Sequence, residues 1–186
     1  MKKILILIVT VFLLACGSQK ITITNPVELH TGIPETAGYR WLNDPEPAFD
    51  EVTLKEALRL FDEKGTGILY FGGQTCPICQ RAVPEINTVL KKLGVRMYYV
   101  DTDILTGKEE FERLMELTKD HLTKNDDGSI SFQVPRIFII QNGEVIDTYL
   151  GLQPSVTLET EDQQLTSAQK RELQGIYEEM IRKIAD

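Results

Sequence analysis

The chain has 186 residues, 42% of them hydrophobic, and a net charge of −8. That length supports one domain with its own core, and no shift in composition marks a second. The acidity argues against nucleic acid as a partner and against electrostatic binding to anionic lipid.

Lys2 and Lys3 give a positive start, and residues 4–14 are apolar apart from Thr10. This run is too short to cross a bilayer, which takes roughly 20 residues, but it has the length of a signal-peptide core, about 7–15. Leu13-Leu14-Ala15-Cys16 resembles the bacterial lipobox. The resemblance implies cleavage before Cys16 and a lipid thioether on its sulfur. The alternative is an ordinary secretory signal with an incidental cysteine. On either reading residues 1–15 lie outside the fold, and the remaining chain carries −10 once Lys2 and Lys3 are gone.

Residues 16–50 contain Pro26, Pro34, Pro45 and Pro47 and lack helical periodicity. They read as a tether followed by an irregular arm, with Ile21-Thr22-Ile23 alternating like a short strand. Tyr39, Trp41 and Phe49 are large for a free linker. They are expected to dock the arm on the domain, a substrate-contacting patch being the alternative.

From Thr53 the pattern becomes regular, and residues 51–186 are expected to form the domain. Thr53 with Glu56 offers a capping box ahead of the helical face Leu54, Ala57, Leu58 and Phe61. Gly65 and Gly67 stop that helix. Ile68-Leu69-Tyr70-Phe71 reads as a short buried strand, followed by Gly72 and Gly73. A helix is expected over 77–93, ended by Gly94, and a strand over 95–100. Thr106 and Glu109 offer a second capping box, before a helix facing inward with Phe111, Leu114, Met115, Thr118 and Leu122. Residues 125–129 form a turn cluster. A strand over 137–140, the turn Asn142-Gly143 and a strand over 145–150 predict a hairpin. Thr166 and Gln169 cap a last helix with Leu173, Ile176, Tyr177, Met180, Ile181 and Ile184 inward. Alternating elements followed by a hairpin predict an α/β fold, a mixed central sheet with helices on both faces.

The chemistry lies in Cys76-Pro77-Ile78-Cys79. Three cysteines leave an odd thiol, and lipidation of Cys16 would leave this one local pair. A bridge over so small a loop constrains little chain entropy, so stapling alone does not explain it. A helix N-terminus carries unpaired N–H groups and the positive end of the dipole, which favour a thiolate. Pro77 suits the first helical position. Cys76 is then the exposed nucleophile, and Cys79, one turn inward, resolves the mixed disulfide. No cofactor is needed, since the pair itself holds the electrons.

Set between a strand and a helix, Cys76-Pro77-Ile78-Cys79 resembles the active site of the thioredoxin superfamily. Pro84 falls five residues after Cys79, where that family has a helix-kinking proline. Val134-Pro135 resembles its cis-proline site, and 135–151 its terminal hairpin. The likeness covers roughly residues 53–186 and implies a three-layer thioredoxin-like sandwich. It also implies a cis peptide at Val134-Pro135, beside the cysteines, that helps bind an extended substrate, with Pro77 on the same groove. The sequence departs from the family at Tyr70, where many members have a buried Asp six residues before the first Cys. It departs again at Gly73-Gln74-Thr75, which replaces the usual aromatic residue, and in a longer 104–133 stretch. The whole is most similar to thioredoxin-like lipoproteins of Gram-positive bacteria. Accessory proteins for bacteriocin transport carry a similar Thr-Cys-Pro-x-Cys.

The resemblance implies a thiol–disulfide oxidoreductase on the extracytoplasmic face of the cell membrane. Its expected partners are exported proteins with thiols or disulfides, a membrane redox partner, and the bilayer through lipid on Cys16. Three rivals remain. Cys76 and Cys79 with His30 and His121 count four zinc ligands, but neither histidine sits in a local ligand pattern. Two soft thiolates suit copper(I), but no Met-rich or His-rich cluster accompanies them. A binding module with a merely structural disulfide is the third.

Overall fold

A computed structural model describes residues 20–185. The expected signal segment and Cys16 lie outside the described residues.

The central sheet has five strands. They are β1 (Phe49–Glu51), β2 (Gly67–Gly72), β3 (Met97–Asp101), β6 (Arg136–Gln141) and β7 (Glu144–Leu150). Their order is β1-β3-β2-β6-β7, and a separate hairpin joins β4 (Thr123–Lys124) to β5 (Ile130–Ser131). β1, β3 and β2 run parallel, whereas β6 lies antiparallel to β2, and β7 to β6. The two-residue turn at Asn142-Gly143 has positive φ at both positions (51° and 82°), which returns β7 along β6.

Side-chain alternation on β2 separates two cores. Ile68 and Tyr70 face one side with Tyr99, Ile137 and Ile139. There they meet α2 (Pro77–Leu93) through Cys79, Ile86 and Leu90, and α4 (Ser167–Arg182) through Leu173 and Tyr177. Leu69 and Phe71 face the other side with Val100, Phe138 and Ile140. They meet α1 (Leu54–Asp62) through Leu54, Leu58 and Phe61, and α3 (Lys108–Thr118) through Leu114. β2 is buried at every position, which is why it reads as an unbroken apolar run. The result is a three-layer, thioredoxin-like α/β sandwich.

Three local expectations differ. Thr53 accepts the Glu56 N–H, but the Glu56 carboxylate turns to the His30 N–H and to Arg59, so the reciprocal half of the box is missing. The box at Thr106 and Glu109 does not form. Gly107, at φ 97°, is the N-cap and starts α3 without a side-chain cap. The box at Thr166 and Gln169 forms in full. Ile21-Thr22-Ile23 is not a strand; the Ile21 N–H instead donates to the Leu93 carbonyl at 2.9 Å.

The arm is fastened along much of its length. Ile21, Val27, Leu29, Tyr39 and Ala48 are buried in the two cores. Tyr98 donates to the Val27 carbonyl at 3.0 Å. β1 straddles the boundary expected at 50/51 and pairs with β3, so the arm contributes the sheet's edge. The 104–133 insert builds core as well, since Phe132 packs edge-on against Phe71 and Phe111.

Candidate functional site

Strand β2 runs out at Gly72, and the chain must turn sharply to start α2. Asp103, two residues past the end of β3, shapes that turn. Its carboxylate accepts the Thr75 N–H at 3.0 Å and the Thr75 hydroxyl at 2.6 Å. A Cβ on Gly73 would lie 2.3 Å from the Asp103 Oδ1, so only glycine leaves room for the carboxylate. The Cys76 N–H donates to the Gly73 carbonyl at 3.3 Å.

Cys76 is the N-cap of α2 and Pro77 its first residue. The Cys76 sulfur accepts the Cys79 N–H at 3.1 Å, as a capping oxygen would. Both cysteines are free thiols; Cys76 is half-buried and Cys79 fully buried. The Cys76 thiol is held down to about 7, from an ordinary value of 9.0. The hydrogen bond from the Cys79 thiol is the main cause. The Cys79 and Ile78 N–H groups add to it, while burial and the charge of Asp103 oppose. The Cys79 thiol is pushed far up, first by donating to Cys76 and then by burial. One sulfur is thus a ready thiolate and the other a protected thiol.

The Val134-Pro135 peptide is cis. It brings the Val134 carbonyl to 3.9 Å from the Cys76 sulfur, within reach of its thiol proton. Pro77 and Ile78 are exposed beside Cys76 at the start of α2. Cys76, Cys79, Val134, Pro135 and Pro77 therefore come together from two segments far apart in sequence, the start of α2 and the residues just before β6.

Two residues near the start of α2 escaped the sequence reading. Gln80 is buried and accepts the Arg40 N–H at 2.8 Å. It donates to the Gly38 carbonyl at 2.8 Å and the Gln74 carbonyl at 2.6 Å. Gln74 in turn donates to the Glu35 carbonyl at 2.7 Å. Arg81 is buried under the 160–163 loop, donating to the Glu161 carbonyl at 2.6 Å and the Gln163 carbonyl at 2.8 Å. Its guanidinium stacks on Trp41, 4.7 Å from the ring centre. Arm and loop thus flank the cysteines. The available signal was two polar residues directly after Cys79, near the start of the helix. The acidic stretch 159–162 serves this site through its backbone carbonyls.

The histidines stand apart. His30 pairs with Glu56 at 3.2 Å on the exposed arm, and His121 lies in the 3₁₀ turn after α3. Among the described residues, no group of three or more His, Cys, Asp or Glu is placed to hold a metal ion. A cavity of about 530 Å³ lies between the arm, α1 and the start of α3, and neither cysteine lines it.

No protein-family model and no curated protein matches the chain. Solved structures do. A protein with a thioredoxin fold is 15% identical over 56% of this chain and 83% of its own, with a TM-score of 0.43. The oxidised thioredoxin of Plasmodium falciparum is 19% identical over 73% of this chain and 97% of its own, at 0.42. The thioredoxin of Aeropyrum pernix is 20% identical over 55% of this chain and 75% of its own, at 0.38. The thioredoxin-like arrangement stands on strand order, register and the two cores.

Proposed function

We propose that this chain is a thiol–disulfide oxidoreductase acting on exported proteins. The observation that supports this most is the Cys76 sulfur at the N-terminus of α2, accepting the Cys79 N–H and drawn down to about 7 beside a buried thiol. Cys76 attacks a substrate disulfide, and Cys79 displaces the substrate from the mixed disulfide. Oxidation of a substrate runs the same steps in reverse. The backbone at Val134 and Pro135 takes an extended substrate segment, and the Pro77 side forms the opposite rim. The pair carries the electrons, so no bound cofactor enters, and a membrane redox partner restores its state.

The lipobox-like Leu13-Leu14-Ala15-Cys16 supports a lipid anchor on Cys16 and an extracytoplasmic location. No described helix is long and apolar enough to cross a membrane. The Thr75-Cys76-Pro77-x-Cys79 likeness adds secreted bacteriocins to the candidate substrates.

Cys79→Ala should trap mixed disulfides between Cys76 and exported proteins, and their identities name the substrates. No trapped species with Cys76 intact would refute the proposal. Equilibration of the pair with glutathione then sets the direction. About −120 mV marks a disulfide donor and about −270 mV a reductase.

A further inference from the structure

Four tyrosines lie beneath the cysteine pair, in the core that holds Cys79. Tyr39, Tyr70, Tyr99 and Tyr177 are all at most 2% exposed. Tyr39 comes from the arm, and its hydroxyl meets that of Tyr99 at 2.9 Å. Tyr70 stacks on Tyr99, ring centres 5.7 Å apart. Its own hydroxyl, fully buried, has no hydrogen-bond partner. A buried donor left unpaired is costly and calls for a reason. Gly72 shows how the ring is seated, since a Cβ there would lie 2.6 Å from the Tyr70 ring and 2.8 Å from its hydroxyl oxygen. The glycine lets Tyr70 fold up against the turn that leads to Cys76.

Tyr70 packs in the same buried cluster as Cys79, the resolving thiol. In the dithiol state, the groups that favour a Cys79 thiolate are the Gly73 backbone N–H and the Tyr70 hydroxyl. Against them stand the hydrogen bond to Cys76, burial, and the charge on Cys76. A mixed disulfide changes this balance, because Cys76 is then neutral and bonded to substrate. Both effects of Cys76 vanish and burial remains. The Gly73 N–H and the Tyr70 hydroxyl are then what opposes it. The Tyr70 hydroxyl has no hydrogen-bond partner in the dithiol form, so its donor is idle until the thiolate forms.

We propose that the Tyr70 hydroxyl donates a hydrogen bond to the Cys79 sulfur as it becomes the attacking thiolate in the mixed disulfide. This rests on the oxidoreductase reading above. In the step, the Cys79 sulfur bonds to the Cys76 sulfur and the Cys76–substrate S–S bond breaks. The electron pair leaves on the substrate sulfur, which takes up the proton lost by Cys79. The substrate disulfide is reduced and the Cys pair oxidised. Tyr70 keeps its proton throughout, because burial holds its hydroxyl well above the ordinary range. It positions and stabilises the thiolate and transfers nothing.

The test is Tyr70→Phe, which keeps the ring and removes only the hydroxyl. Reduced protein is mixed with oxidised glutathione, and the second, intramolecular stage is followed across pH. A hydrogen bond to a charged sulfur predicts roughly a tenfold slower second stage near neutral pH, with its midpoint raised by about one unit. Alkylation of Cys76 should stay at the wild-type rate. Tyr177→Phe, which removes another partnerless hydroxyl of the same cluster, should leave the second stage unchanged. An unchanged rate and pH profile in Tyr70→Phe overturns the proposal. If wild-type protein does not exchange with glutathione, the oxidoreductase reading falls instead. The Cys79 thiolate titration, followed by ultraviolet absorbance in a Cys76→Ala background, still decides the hydrogen bond. Tyr70→Phe must raise its midpoint, and no shift refutes the contact.

Discussion

The titration of Cys76 is the sharpest consequence of the site's geometry. With its thiol at about 7 rather than 9.0, about half of Cys76 is thiolate at about pH 7, against about 1% for an unperturbed thiol, roughly a fiftyfold gain. A less basic thiolate is a weaker nucleophile, and a Brønsted slope of about 0.4–0.5 over two units takes back roughly eightfold. Cys76 should therefore be alkylated about sixfold faster than a free thiol at neutral pH, with a midpoint near 7. The perturbation is Cys79→Ala, which removes the thiol that is the main cause of the shift but keeps the backbone N–H groups. The midpoint should then rise to between about 7 and 9. Iodoacetamide labelling across pH, read by mass, measures both proteins. A wild-type midpoint near the free value, or one that Cys79→Ala does not move, would show that the first turn of α2 does not act on the sulfur as argued.

Stability of the dithiol form should peak with pH. Cys76 is depressed and so binds fewer protons folded than unfolded between about 7 and 9; stability rises with pH there and is lost as pH falls through 7. Cys79 is raised, so above about 9 the unfolded chain loses the proton the folded chain keeps, and stability falls. Relative to the disulfide form, which has neither thiol, the dithiol should gain about 1 kcal/mol between pH 7 and 9 after allowance for screening of a half-exposed sulfur. Denaturant melts of both forms measure this, and a flat difference contradicts it. Gln80→Ala strips three hydrogen bonds between α2, the arm and the Cys76 turn. It should cost about 2–4 kcal/mol and open residues 35–41 to protease; loss below about 0.5 kcal/mol would mean the arm is held elsewhere. Thr166→Ala breaks the complete capping box of α4 and should cost about 1 kcal/mol in the same melts, with no change in Cys76 titration.

What the sequence made legible was local. Cys76, Pro77 and Cys79 share one helical turn, and strand β2 and Gly94 frame that helix, so the pattern of a dozen neighbouring residues is enough. β1 was illegible because Phe49 alone carries an apolar signal. Asp50 and Glu51 read as loop until Arg96, just ahead of β3, pairs with Asp50. The 123–131 hairpin is short and largely polar, so it gives no period-2 pattern. The box at Thr106 failed because Gly107 takes the cap position itself. Gln80 and Arg81 were illegible for another reason. Their partners lie about 40 residues upstream and 80 downstream, and nothing local tells a buried Arg facing carbonyls from an exposed one.

The arm bears on how an anchored form would stand. The Ile21 N–H is fixed to the Leu93 carbonyl, at the C-terminal end of α2, whereas Cys76 caps the opposite end. With 17 residues at about 1.5 Å each, α2 separates the two points by roughly 25 Å. From Cys16 to Ile21 the chain can reach at most about 18 Å. If Cys16 carries the lipid as proposed, the domain hangs close to the bilayer by the base of α2, and the Cys76 rim points outward. It would then meet polypeptides in the extracytoplasmic space rather than residues within the membrane. A fluorophore on Cys76 of the lipidated protein in vesicles should be quenched by an aqueous quencher and not by brominated lipid. Quenching from the lipid side would mean that the docked arm does not set the orientation.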